Sequence, residues 1–259
     1  MEQPTLRHQP TDITMERERL RAVFYGTYGV GKTTLAMTFP KPFVLDFDGG
    51  LVSVTVEAGD RVLGKRYTPT GHKDLEALML WIRSHIGDSE TIVVDDLDGM
   101  VDTLLCELVD AGAAYDSGKG KEAHPVAQFV PEQAEYLANQ RQMTAFLHAL
   151  RQFGLHVVLL SGRRHDIDKG RPPSPNLAPG LLGKVMHWAS LVGELVVTDD
   201  GQRVLCTAPS SKREAKSRFR CLTPVVVEPT FGSMWSSIES AYASHTTTTS
   251  PPASGSGHK

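Results

Sequence analysis

The sequence predicts an α/β fold: a mostly parallel central sheet with helices on both faces and an antiparallel extension toward the C-terminus. Three observations point there. Short apolar runs alternate with helical patterns along the chain, the order of a doubly wound sheet. Several of these runs (AVFY, IVVD and VVLL) lack the in-out alternation of half-exposed strands, as strands covered on both faces do. Between residues 191 and 227 the runs are joined by short connections, which antiparallel neighbours allow and parallel ones do not.

Taken in order, residues 1–18 are polar, carry two prolines and are expected to form a flexible arm. Strands are predicted at Arg21–Tyr25, Pro42–Phe47, Thr91–Asp95, Leu155–Ser161, Leu191–Thr198, Arg203–Thr207 and Pro224–Val227. An apolar helix is expected to open at Lys32 with TTLAMTF. A second spans Lys73–Ile86, with Leu75, Leu78, Met79, Ile82 and Ile86 on one face and Gly87 as its stop. A third spans Pro131–Phe153, with Tyr136, Met143, Phe146, Leu147 and Leu150 aligned before Gly154. Asp199-Asp200-Gly201 reads as a hairpin turn. Trp81, Trp188 and Trp235 lie near apolar stripes and read as core. Residues 111–130 and 163–183 are rich in Gly, Pro and polar groups and read as long loops, usually functional or disordered. The last residues are low in complexity, so the folded domain is expected over 19–243 and a disordered tail over 244–259.

Composition narrows the function. The 259 residues suit one large α/β domain or two small ones, and the net charge of −3 carries no global sign of nucleic acid. The charge is uneven, however. Residues 163–184 hold five Lys/Arg against two Asp, and 203–220 hold six against one Glu, leaving −11 for the rest. Two basic segments on an acidic body suit a polyanion-facing surface, as they also suit solvated loops. No apolar run reaches membrane-spanning length, and the polar N-terminus does not read as a secretory signal. Cys106, Cys206 and Cys221 are odd in number and far apart, so neither a disulfide framework nor a zinc site fits and a cytoplasmic setting is expected. The ten histidines show no metal-ligand spacing.

One motif carries chemistry directly. Gly26-Thr27-Tyr28-Gly29-Val30-Gly31-Lys32-Thr33-Thr34 satisfies G-x-x-x-x-G-K-[ST]. Its glycines let consecutive amides close on an anion, Lys32 would reach the β- and γ-phosphates, and Thr33 would ligate Mg²⁺. The helix opening at Lys32 would aim its positive end at the same phosphates. The four fixed positions arise by chance in roughly one chain in a hundred of this length. Here they also follow an apolar strand and open an apolar helix. ATP is favoured over GTP because no N-K-x-D motif is present. Downstream, the strand Ile92-Val93-Val94 ends in Asp95, a carboxylate able to hold the Mg²⁺ water shell. Hydrolysis also needs a group that positions water. Asp48 and Asp96 are the candidates, and a turn-forming Asp accounts for either.

The order of phosphate loop, L-D-F-D-G-G (45–50), I-V-V-D-D (92–96), V-V-L-L-S (157–161) and Lys216-Ser217-Arg218-Phe219 resembles the RecA-like P-loop ATPases. The nearest likeness is to phage-type AAA/RecA-like recombination ATPases, including the single-strand annealing proteins of the Sak group. It spans about residues 20–228. The resemblance implies a homo-oligomeric ring or filament, acting on single-stranded DNA in the host cytoplasm. It gives Asp48 the place of a catalytic Glu in D-x-E-G. The Asp is one methylene shorter, so its carboxylate would fall short by ~1.5 Å, enough to slow hydrolysis. Ser161 takes the place of a γ-phosphate sensor, with Arg163 as the alternative. Lys216 and Arg218 resemble a K-x-R pair inserted into a neighbour's site, and a solvated basic strand end reads nearly as well. Arg163, Arg164, Lys169 and Arg171 would meet DNA phosphates. Tyr115 and Phe129 are the nearest aromatics for stacking. Two other classes use the same loop: a small-molecule or nucleotide kinase with the 163–171 segment as a lid, and a nucleotide-gated binding module with negligible hydrolysis.

Overall fold

The computed structural model describes residues 19–51, 54–55, 63–110, 131, 133–164 and 171–246. The N-terminal arm, residues 111–130 with Tyr115 and Phe129, Lys169, and the tail from 247 onward lie outside these residues.

The centre is a 9-stranded sheet. Its strands are β1 (Arg21–Tyr25), β2 (Pro42–Asp46), β3 (Lys65–Tyr67), β4 (Thr91–Asp95) and β5 (His156–Ser161). A short ribbon of β6 (Arg163–Arg164) and β7 (Ser174–Pro175) stands apart from it. The sheet then continues with β8 (Leu191–Val197), β9 (Arg203–Cys206), β10 (Lys216–Ser217) and β11 (Val225–Val227). Spatially the order is β3-β2-β4-β5-β1-β8-β9-β11, with β10 also paired to β8. From β3 to β8 every pairing is parallel, and β9, β10 and β11 are antiparallel. The parallel sheet and its C-terminal antiparallel extension are therefore both present. The hairpin between β8 and β9 turns at Gly201, with Thr198 and Gln202 closing it.

Alternate residues of each parallel strand bury on opposite faces, because successive side chains point to opposite sides. On β1, Val23 and Tyr25 join one core and Ala22 and Phe24 the other. The first face is covered by α2 (His72–His85), α3 (Leu97–Asp110), α4 (Gln133–Gln152) and α5 (Pro179–Trp188). The second is covered by α1 (Lys32–Ala36) and α6 (Phe231–Thr246). Burying one such Leu or Phe contributes about 1.5–3 kcal/mol, and each layer buries several of them against the sheet.

Three corrections concern the elements. α1 is a single turn of five residues, not the longer TTLAMTF helix, because Thr38 closes the chain back onto Leu35. The 163–183 stretch is not one loop: it holds the β6–β7 ribbon and the start of α5, whose first turn takes Pro179 where a missing N–H costs nothing. Trp81 is 42% exposed, stacked on His85, while Trp188 and Trp235 do pack on the cores.

Register sets the site. Tyr25 is level with Ser161 on one side and Glu194 on the other, and Asp46 is level with Asp95. The polar residues thus gather at the carboxyl edge of the parallel strands, where doubly wound sheets place their binding crevices.

Candidate phosphate loop and its carboxylates

At the end of β1 the chain turns into Gly26–Thr34, and two glycines there have separate reasons. Gly31 has φ 92°, in the left-handed region, where it caps α1. A Cβ on it would also lie 2.9 Å from Arg203 Nε. A Cβ on Gly26 would run into the carbonyl oxygen of Leu195, so the loop is pressed against β8. Lys32 Nζ donates to the carbonyl oxygens of Gly26, at 3.2 Å, and Thr27, at 3.1 Å. Its ammonium lies 5.7 Å from the ring centre of Tyr28, which projects into solvent. The single-turn α1 supplies less dipole than a long helix would.

The loop meets the carboxylates through Thr33. Its Oγ1 donates to Asp95 Oδ2 at 2.9 Å, joining groups 62 residues apart. Asp95 is buried at the end of β4. Burial raises its pKa first, Asp46 and Asp48 add to the rise, and Thr33 and Lys32 oppose it. A hydroxyl beside a carboxylate, near an exposed glycine cradle, is the oxygen donor set that Mg²⁺ accepts, keeping several waters. Thr33 and Asp95 therefore fit a Mg²⁺–nucleotide.

Asp48 and Asp96 part company. Asp48 is exposed and flanks the same space as Asp95: a Cβ on Gly50 would meet Asp48 Oδ2 at 3.3 Å and Asp95 Oδ2 at 4.0 Å. Asp96 instead caps α3. Its Oδ1 accepts the Gly99 N–H at 2.8 Å and its carbonyl accepts that of Met100. Burial, with Asp98, Asp48 and Asp95 adding, pushes its pKa up to about 6 against the Gly99 bond. The Asp95–Asp96 peptide is cis.

Ser161 is fully buried and donates to Asp98 Oδ1 at 2.8 Å. Asp98 also accepts from Gly162 N and Asn176 Nδ2. The Ser161 hydroxyl thus ties β5 to α3 and the β7 strand end. Among the arginines of the expected DNA segment, Arg163 Nε pairs with Glu194 Oε1 at 2.7 Å. Arg164 Nη1 donates to Leu177 O at 3.3 Å, and Arg164 and Arg171 line one recess of about 250 Å³. Lys216 lies on the far edge of the sheet. Its ammonium donates to the carbonyls of Met186 (2.7 Å), His187 (3.2 Å) and Ala189 (2.7 Å), and Arg218 Nη2 to His187 O at 3.4 Å. The pair closes the C-terminus of α5, whose last carbonyls need donors.

Residues 18–219 match the family model of the AAA domain. The chain belongs to that family. It is thus an ATPase-type domain built on a phosphate loop, and the loop just described lies inside the matched span. No curated protein matches the chain. Among solved structures, the RadB recombinase is similar, at 18% identity and a TM-score of 0.47, over 80% of this chain and 86% of that one.

Three residues at this AAA edge escaped the sequence reading. Glu194, 2% exposed, sits between Arg163 and Arg213, whose Nε lies 3.2 Å from Oε2. Its signal was present: a lone carboxylate inside the apolar run LVGELVV. Arg66 pairs with the buried Asp46 at 2.8 Å, and Arg203 lies against Gly31, both from elements far from the motifs.

Proposed function

We propose that this AAA domain binds Mg-ATP at Gly26–Thr34 and hydrolyses it while acting on single-stranded DNA in recombination or annealing. The observation that carries the nucleotide reading is the Thr33–Asp95 bond at 2.9 Å, which brings the loop hydroxyl and the strand-end carboxylate to one point. In this reading Lys32 contacts the β- and γ-phosphates, Thr33 ligates Mg²⁺, and Asp95 holds its water shell. Asp48, beside Asp95 and exposed, positions the attacking water. Bound Mg²⁺ would supply charge neutralisation at the phosphates. Arg164 and Arg171 give the DNA contact, supported by their shared recess and by the resemblance in motif order. The same resemblance implies a homo-oligomer, to be read from sedimentation with and without nucleotide.

The shorter Asp48 side chain favours a second reading, in which ATP gates assembly and hydrolysis is negligible. Turnover measured with and without oligothymidine, across a salt series, separates the readings. Turnover raised by DNA, with the rise fading in salt, supports the ATPase. Nucleotide capture without turnover leaves the gated module. A wild-type protein that retains no labelled ATP with Mg²⁺ present removes both.

A further inference from the structure

The opposite edge of the sheet holds a second charged feature. A pocket of about 410 Å³ opens there, lined by Arg21, Arg151, Lys184 and Arg218, with His148 and His187 beside them. Trp188 and Leu147 form part of its floor. Among the described residues that line it, none is a carboxylate. Arg21 opens β1 and the phosphate loop follows its end, so the two sites stand about 15 Å apart along the strand.

Part of this charge has a structural task. Arg21 Nε donates to Trp188 O at 3.2 Å, and Lys216 and Arg218 serve the other carbonyls at the end of α5. A helix C-terminus presents roughly half a negative charge, which Lys216 and Arg218 alone already exceed. Arg151 and Lys184 add two more from the exposed surfaces of α4 and α5. Lys216 is pushed below the usual lysine range mainly by burial, with Arg218 and Arg21 adding to it.

We propose that this pocket binds the phosphate backbone of a nucleic acid, as a second site independent of the phosphate loop. The cations come from four elements and surround an open mouth. The helix end facing them presents carbonyls, not N–H groups, so it forms no amide nest for one small anion. Spread guanidinium and ammonium groups without aligned amides suit a chain of phosphates read without sequence preference.

The test measures binding of fluorescent oligothymidine to the full chain across a salt series. Charge reversal at Arg151→Glu with Lys184→Glu leaves the α5 cap intact. It should weaken binding at low salt about tenfold and flatten the log–log salt slope by about 1.4, the value for two lost contacts to a single strand. ATP capture at the loop should stay at its wild-type level. Should the reversal unfold the protein, Arg151→Gln with Lys184→Gln gives the same reading at smaller amplitude. Wild-type affinity and slope in a folded variant overturn the proposal. So does a variant that loses pyrophosphate binding alone, which marks a small-anion pocket. Loss confined to a parallel Arg164→Glu/Arg171→Glu variant also overturns it and assigns the strand to the other edge.

Discussion

The two edges of the central sheet differ in charge, one mixing carboxylates with their cation partners and the other holding a basic pocket, and they are built in opposite ways. At the carboxyl edge carboxylates and cations are mixed: Asp46 pairs with Arg66, Glu194 with Arg163 and Arg213, and Asp48 and Asp95 stand near Lys32, most of the loop-side groups coming from contiguous motifs. At the amino edge, cations from β1, α4, α5 and the chain after β10 converge from segments distant in sequence. Charge gathered by a motif announces itself in the sequence. Charge gathered by topology does not.

The comparison is sharpened first at the loop. Lys32→Ala should lower ATP affinity by roughly a hundredfold, since charge-assisted phosphate contacts are among the strongest polar ones. Oligothymidine binding at the amino edge should persist, and equilibrium binding with each labelled ligand checks both halves. If the two losses track each other, the edges are not independent.

Next in size is Glu194→Ala, also at the carboxyl edge. Removing it leaves the partly solvated Arg163 and Arg213 guanidinium groups without their buried partner, at a cost of about 2–3 kcal/mol. Urea unfolding measures it, and an unchanged midpoint would show that the two arginines find other partners.

His156, at the amino end of β5, gives a pH test. Its Nδ1 accepts the Leu20 N–H at 3.1 Å, and Phe39, Phe231 and Trp235 surround the ring. Burial first, then the Arg19 charge, pushes its pKa down from 6.5 to about 4, with Glu90 opposing. The unfolded chain therefore takes up a proton that the folded one refuses. Stability is full above pH 6.5 and falls between 6.5 and 4, by up to about 2–3 kcal/mol. Thermal melts over that window should show the drop, and His156→Asn, which keeps an acceptor for Leu20, should flatten it.

The smallest effect is expected at Lys216→Met. It removes the ammonium that serves three carbonyls at the end of α5, for about 1–2 kcal/mol. A change in ATP turnover at matched stability would instead support the trans-acting role that the resemblance implies for Lys216, and would erase the contrast between the edges.

The legibility of the fold follows the same division. Strands buried on both faces leave uninterrupted apolar runs, so the limits of β1 and β4 are those read from the sequence, and β2, β5, β8 and β9 differ by a residue or so. α3 was missed because its cap, Asp96, falls inside the stretch read for metal chemistry. α5 opens with Ala-Pro-Gly, which reads as loop, and is made helical by Leu181 and Val185 packing on the core. α6 is rich in Ser and owes its place to Met234 and Ile238 against the second face. Strands of two or three residues, such as β6, β7 and β10, leave no periodicity at all. At the site, the loop, Thr33 and Asp95 were legible because each motif is local. Glu194 between its arginines was not, since its meaning depends on two partners from other segments.

The contact of Gly26 with Leu195, and of Gly31 with Arg203, changes how the C-terminal strands are to be regarded. They are the wall against which the nucleotide cradle is moulded, rather than an appendage to a finished core. A fragment cut after β8 would keep every letter of the motif and the Leu195 carbonyl, but lose the Arg203 side chain laid against Gly31. Minimal versions of this domain must therefore carry the β9 hairpin with them.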